Sequence, residues 1–230
     1  MTSVYANDVL QVKKNKNKYD IVFLDSSSSV DILTGLLSSL HISYKDETNK
    51  KDIIQLNVHS LQTLDQFIQK KNLLSFDDAL ILLENISAQI FNLERKEKSF
   101  LYFDLHDIVV IDDHKYLYMN PDHIYNIVEN DIKLTKPIPL KSLFLPPELK
   151  KKLTLPLQVH NTSYMYSLAL IIIYCLFGKA TTETVIKENI KTAIPKKSLA
   201  PLDPIYPTKL YFFLLRCLLQ NPLERKFIYI

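Results

Sequence analysis

The chain has 230 residues, 47% hydrophobic and 23% charged, with a formal net charge of +3 at pH 7. That length and apolar share suit one large domain or two small lobes able to bury a sizeable core. The charge is too small, and too little organised into a basic stripe with aromatics, to point to nucleic acid or an anionic membrane as partner. Cys175 and Cys217 each sit inside an apolar run. They read as buried thiols in a reducing compartment rather than as a disulfide or a metal site. No charged segment followed by an apolar stretch opens the chain, so the expectation is a cytoplasmic protein without a signal peptide.

Along the chain, Asp8–Lys13 and Tyr19–Leu24 alternate apolar and polar residues on either side of a Lys/Asn turn, which predicts a β-hairpin. The serines Ser26–Ser29 offer N-caps to an amphipathic helix from Val30 to Leu40, and Ile53 to Val58 reads as a short strand. Leu61 to Ile68 has helical spacing. Ser75, with Asp77 and Asp78 in the first turn, starts a longer helix whose apolar residues Ala79, Leu82, Leu83, Ile86, Ile90 and Leu93 carry it to about Arg95. Two β-like runs, Asp107–Ile111 and Lys115–Met119, flank the turn Asp112-Asp113-His114. Pro137 to Pro156 is proline-punctuated loop. The run Tyr164 to Phe177 ends at Gly178 and is too short to span a bilayer, so it reads as a core helix with no membrane span. Helical potential returns near Thr182–Thr192, and a last helix covers Thr208 to Leu219.

Glycine occurs twice, as Gly35 and Gly178, so no glycine-rich phosphate loop exists. Arginine occurs at Arg95, Arg216 and Arg225 alone, while Lys, Asn and Ile abound, a bias typical of AT-rich genomes such as those of large DNA viruses. His106, Asp107, Asp112, Asp113 and His114 fall close together, but Asp-Asp-His is an ordinary solvated turn and reads as that rather than as a metal site. His59, His123 and His160 have no regular spacing and no evident nucleophile beside them.

Three motifs occur in a telling order. Pro146-Pro147-Glu148 resembles the Ala-Pro-Glu that closes the activation segment of protein kinases. Tyr164-Met165-Tyr166-Ser167-Leu168-Ala169, opening a long apolar helix, resembles the start of the kinase central helix. Cys217-Leu218-Leu219-Gln220-Asn221-Pro222-Leu223-Glu224-Arg225 resembles the Cys-Leu-x-x-Asp-Pro-x-x-Arg near the end of that fold. The chain is thus similar to protein kinases, and more narrowly to the short kinase-like proteins of giant DNA viruses. The resemblance implies an α+β, protein-kinase-like fold, with a reduced β-rich N-lobe over residues 1–60 and a mainly α-helical C-lobe over 61–230. It also implies a buried salt bridge between Glu148 and Arg225, and a structural role for Ser167.

The chemistry of the family is depleted. Phosphoryl transfer works by placing charges around phosphate and metal, with a glycine-rich loop, a strand Lys paired to a helix Glu, a catalytic-loop Asp with an Asn ligand, and a metal-binding Asp. Tyr19–Asp25 contains no Lys, and the following helix offers Asp31 but no Glu. Asp104 takes the position of the catalytic Asp, and Asp107 falls near that of the metal-binding Asn. The Asp-Phe-Gly site falls at Tyr118-Met119-Asn120. Without the family's metal-binding Asp, magnesium loses its main protein ligand. The expectation is therefore a pseudokinase acting as a protein-interaction or scaffolding module, with unidentified protein partners and no cofactor. One alternative is a divergent active serine/threonine kinase using ATP and magnesium, with Asp104 as base and Asp107 as metal ligand. The other is a structural, virion-associated protein.

Overall fold

The computed structural model describes residues 2–16, 18–24, 27–46, 52–138, 141–150, 154–191 and 199–227. The protein is mixed α+β with antiparallel sheets. It divides into two compact units, each described separately. The first comprises Met1–Asn72, Ile81–Lys98 and Leu105–Ile124, and the second Leu73–Leu80, Ser99–Asp104 and Tyr125–Ile230.

In the first unit, strands β1 (Thr2–Ala6), β2 (Leu10–Asn15) and β3 (Lys18–Phe23) precede helix α1 (Ser27–Ser39). Strands β4 (Tyr44–Asp46) and β5 (Ile53–Leu56) complete a five-stranded sheet in the order β1-β2-β3-β5-β4. Val12, Ile21 and Ile54 stand opposite one another across three strands and are all buried, as are Leu33, Leu36 and Leu37 along one stripe of α1. The next row, Lys13–Asp20–Gln55–Lys45, carries the polar side of the pleat. The first hairpin strand lies further along than Asp8–Lys13. The Asn7 side chain accepts from the amides of Val9 and Leu10 at 2.9 and 2.8 Å, making a turn that ends β1 and starts β2. The N-cap predicted at Ser26 lies outside the described residues, and the helix runs from Ser27. Its C-terminal end is held by Lys115, whose Nζ donates to the carbonyls of Leu40 and His41 at 2.8 and 3.3 Å, where the helix dipole favours a cation.

The predicted helix at Leu61–Ile68 divides in two. Leu61–Thr63 is strand β6, and α2 begins at Leu64 and runs to Lys71. Thr63 explains the switch. Its hydroxyl accepts from Gln66 N while the Gln66 side chain accepts from Thr63 N, both at 3.2 Å, so a capping box starts the helix. Helix α3 (Phe76–Glu94) begins with the same device at Ser75 and Asp78. The chain then forms β7 (Lys98–Phe100), followed by the hairpin β8 (Ile108–Ile111) and β9 (Lys115–Tyr118). With β6, the hairpin makes a three-stranded sheet ordered β6-β8-β9. Asp112 and Asp113 both adopt positive φ (49° and 61°), as its tight turn requires.

In the second unit, β10 (Ile124–Val128), β11 (Asp131–Leu134) and β12 (Leu157–His160) join β7 in a sheet ordered β12-β11-β10-β7, which the sequence reading did not anticipate. Ile132, Leu134 and Val159 of this sheet bury with Leu101, Tyr102, Leu145 and Leu149 in one apolar cluster. Helix α4 runs Ser163–Lys191, longer than the predicted Tyr164–Phe177, with a break at Gly178 (φ 80°, ψ 179°). That backbone region is open essentially to glycine alone. Among the described residues this is the one helix long and apolar enough to cross a membrane by length and composition, and 56% of that window is buried inside the protein. Helix α5 (Lys209–Cys217) is capped by the Thr208 hydroxyl, which accepts from Tyr211 N.

Candidate functional site

In the second unit, the chain before Asp104 is fixed by Ser167 of α4. The Ser167 hydroxyl donates to Phe103 O at 2.9 Å and its oxygen accepts from Phe103 N at 2.7 Å, so one buried serine satisfies both polar groups of a single peptide residue. Such pairing matters most in the interior, where an unmade hydrogen bond costs about 1–3 kcal/mol. Phe103 itself packs on Phe100 and edge-on to Tyr164. Asp104, half-buried, follows directly. Its Oδ2 accepts from the Ser142 hydroxyl at 2.6 Å, and that hydroxyl oxygen accepts in turn from Phe144 N at 3.3 Å.

Glu148 lies in the 3₁₀ turn Pro147–Leu149, opened by the rigid Pro146-Pro147 pair. Arg225 Nη1 donates to Glu148 Oε1 at 2.6 Å and Nη2 to Oε2 at 2.9 Å, a bidentate pair. Ser163, the first residue of α4, adds a third donor to Oε1 at 2.7 Å. Two further guanidinium N–H groups are bonded as well. Nε donates to Leu219 O at 2.7 Å, Nη2 to Gln220 O at 3.2 Å, and the group lies 5.2 Å from the Tyr166 ring centroid. Arg225 is 3% exposed. Burial pushes the Tyr166 phenol above its ordinary pKa, with Asn189 and Arg225 opposing.

In the first unit, Asp107 closes a short 3₁₀ turn (Leu105–Asp107) and is buried. Its Oδ1 accepts from Asn120 Nδ2 at 2.8 Å, and its carbonyl from Met119 N at 2.7 Å. His123 Nδ1 lies 3.1 Å from Asn120 Nδ2 and 3.5 Å from Asp107 Oδ2. Nearby, the Tyr5 hydroxyl and Asn7 Nδ2 donate to Met119 O at 3.4 and 3.2 Å. Burial, reinforced by the charge of Asp107, pushes the Tyr5 phenol up, so it stays a neutral donor. Tyr118 and Met119 are fully buried.

Two side chains that the sequence reading passed over organise this segment. Gln89 of α3 donates to Tyr116 O at 2.8 Å and accepts from Tyr118 N at 2.9 Å, while Asn85 Oδ1 accepts from Tyr116 N at 2.9 Å. They replace a missing neighbour strand along the open edge of β9. Asn85 and Gln89 lie four residues apart on one helix face, but Glu84, Ser87 and Asn92 share the helix, so the sequence alone does not single them out. Asp112 serves the main chain too, accepting from His59 N and Ser60 N at 2.7 and 2.9 Å. Among the described residues no group of three or more His, Cys, Asp or Glu is gathered as a metal would need.

The structure thus joins Glu148 to Arg225 and Ser167 to Phe103. It gives Asp104 and Asp107 separate partners, in the second and first units respectively. No protein-family model matches the chain, and no curated protein matches its sequence.

Proposed function

We propose that the chain is a protein-kinase-like domain without phosphotransfer chemistry, serving inside the cell as a protein-interaction or scaffolding module. The observation that carries this reading is the state of the segment Tyr118-Met119-Asn120, where the resemblance assigns the metal-binding Asp. Tyr118 and Met119 are 0% exposed, Tyr118 N is bonded to Gln89, and Asn120 donates its amide to Asp107. A buried tyrosine offers no anionic ligand to a divalent cation, and Asp107 already has a neutral partner for one of its oxygens. The kinase-like part of the reading draws support from the five-stranded antiparallel sheet with helix α1 inserted between β3 and β4, and from the bidentate Glu148–Arg225 pair between the first and third motifs.

A fold kept without its chemistry acts through its surfaces, which is why protein partners are proposed and no cofactor. Thermal melting with and without ATP and magnesium tests the claim. The expected result is an unchanged Tm. A clear magnesium-dependent rise would overturn it.

A further inference from the structure

Helix α5 turns Leu210, Tyr211, Phe213, Leu214 and Cys217 inward, where all five are buried. Its other side carries Lys209, Phe212 and Arg216, spaced three and four residues apart and therefore in one stripe, and all three are exposed. Phe212 is 43% exposed, and Tyr206, on the connection before the helix, is 60% exposed. The two rings meet edge-on with centroids 6.2 Å apart. Both also stand edge-on to the buried Tyr211, Tyr206 at 5.2 Å and Phe212 at 5.3 Å. The backbone beneath them is pinned. Tyr206 N donates to Asp203 O at 3.0 Å and Thr208 N to Ile205 O at 2.9 Å.

Single exposed apolar side chains are ordinary, but two large rings held against each other on the outside are not. Because Tyr211 already fixes them, a partner that covers them has little side-chain freedom left to freeze. The flanking charges define that partner. Lys209 and Arg216 stand on either side of Phe212, about 10 Å apart along the helix axis. Among the described residues neither has a carboxylate within ion-pair distance. The stretch 200–220 contains one acid, Asp203, against these two cations. The helix dipole favours an acid in the first turn, where Lys209 sits, so the helix itself gives no reason for that cation. Aromatic rings beside an arginine are the composition of interface hot spots, and cations at their margin select carboxylates. Two cations are too few for a nucleic acid, which needs an extended basic stripe.

We propose that this face of α5 docks an acidic segment of a partner protein, with an apolar side chain seated on Tyr206 and Phe212 and carboxylates reaching Lys209 and Arg216. The surface lies wholly within the second unit. The proposal rests on the protein-interaction part of the function above and is independent of whether phosphate is transferred.

Panning the immobilised full chain against a phage-displayed library of random peptides, about a dozen residues long, tests it. The selected peptides should be enriched in Asp and Glu around a Leu, Phe or Tyr, and their synthetic copies should bind saturably. The charge-reversed variant Lys209→Glu/Arg216→Glu, with an unchanged melting profile, should weaken that binding at least about tenfold, and Phe212→Ser should do the same. Lys18→Gln in the first unit should leave it unchanged. A library that yields no binders, peptides without acidic enrichment, or equal binding by the charge-reversed variant would each overturn the proposal. The two readings fail separately. Peptides that bind but ignore both α5 variants overturn this face and leave the interaction reading standing, whereas a magnesium-dependent ATP response counts against the absence of phosphotransfer chemistry and not against this face.

Discussion

Glu148 and Asp107 are both acids withdrawn from solvent, one in each unit, and the chain treats them differently. Glu148 receives a buried arginine in bidentate geometry plus a serine hydroxyl. Asp107 receives an asparagine amide, with a histidine 3.5 Å away. The first carboxylate is neutralised by a permanent charge and locked. The second is held by an amide and faces a titratable ring. One of the three described arginines, Arg225, thus serves a joint in the fold. The difference teaches that withdrawal from solvent alone does not decide how an acid is held: one is forked by an arginine, the other bonded by an amide.

Removing the arginine breaks that comparison most severely. Arg225→Ala leaves Glu148 without its counter-charge and strands the carbonyls of Leu219 and Gln220, so a loss of about 3–5 kcal/mol is expected in denaturant unfolding. Arg225→Lys should recover only part of it, because an ammonium cannot fork onto both carboxylate oxygens. Full recovery by lysine would show that charge alone, not geometry, holds the joint.

How much of this the sequence disclosed depends on how local the signal was. The Ser75 start of α3 and the turn at Asp112-Asp113 are set by neighbours in the chain, and both were legible. The Glu148–Arg225 pair spans 77 residues, and only the order of the three motifs pointed to it. The sheet β12-β11-β10-β7 escaped because its strands are short and its turn, Glu129-Asn130, carries positive φ without a glycine to announce it. Gln89 reads as one of several polar residues of α3, and only the open edge of β9 explains its burial. Gly178 looked like the end of a helix, whereas the helix resumes beyond it.

A second effect falls mainly on the second unit and sharpens the contrast by pH. Burial pushes the thiols of Cys175 and Cys217 well above their ordinary value of 9.0, and the phenols of Tyr166 and Tyr5 above 10.0; of these only Tyr5 lies in the first unit. Each group is neutral when folded and free to ionise when unfolded. Below pH 9 both states hold the proton and stability is unaffected. Above it the unfolded chain loses protons that the folded chain keeps, so stability falls as pH rises, by about 1.4 kcal/mol per pH unit for each fully titrating group. Unfolding free energies at pH 8 and pH 10 should show the decline. Cys175→Ala, which removes one ionisable group, should make it shallower; an unchanged slope would mean that the thiol is not protected as described.

The smallest expected effect concerns Asp104. Its Oδ2 accepts one hydroxyl, from Ser142, and an asparagine oxygen can accept the same bond. Through that bond, Asp104→Asn should shift stability by no more than about 1 kcal/mol, the worth of an ordinary hydrogen bond. On the proposed function, phosphate transfer from labelled ATP should be at background in the wild type and unchanged in this variant. The informative variant is Ser142→Ala, which removes the hydroxyl and leaves the Asp104 side chain in place. If a background-level wild type became a phosphotransferase on that change, and lost the activity again with Asp104→Asn added, the serine would be a mask over a working base. If transfer stays at background in all three proteins, Asp104 serves the loop that Ser142 ties to it, and the contrast with Glu148 reduces to two ways of holding a chain in place.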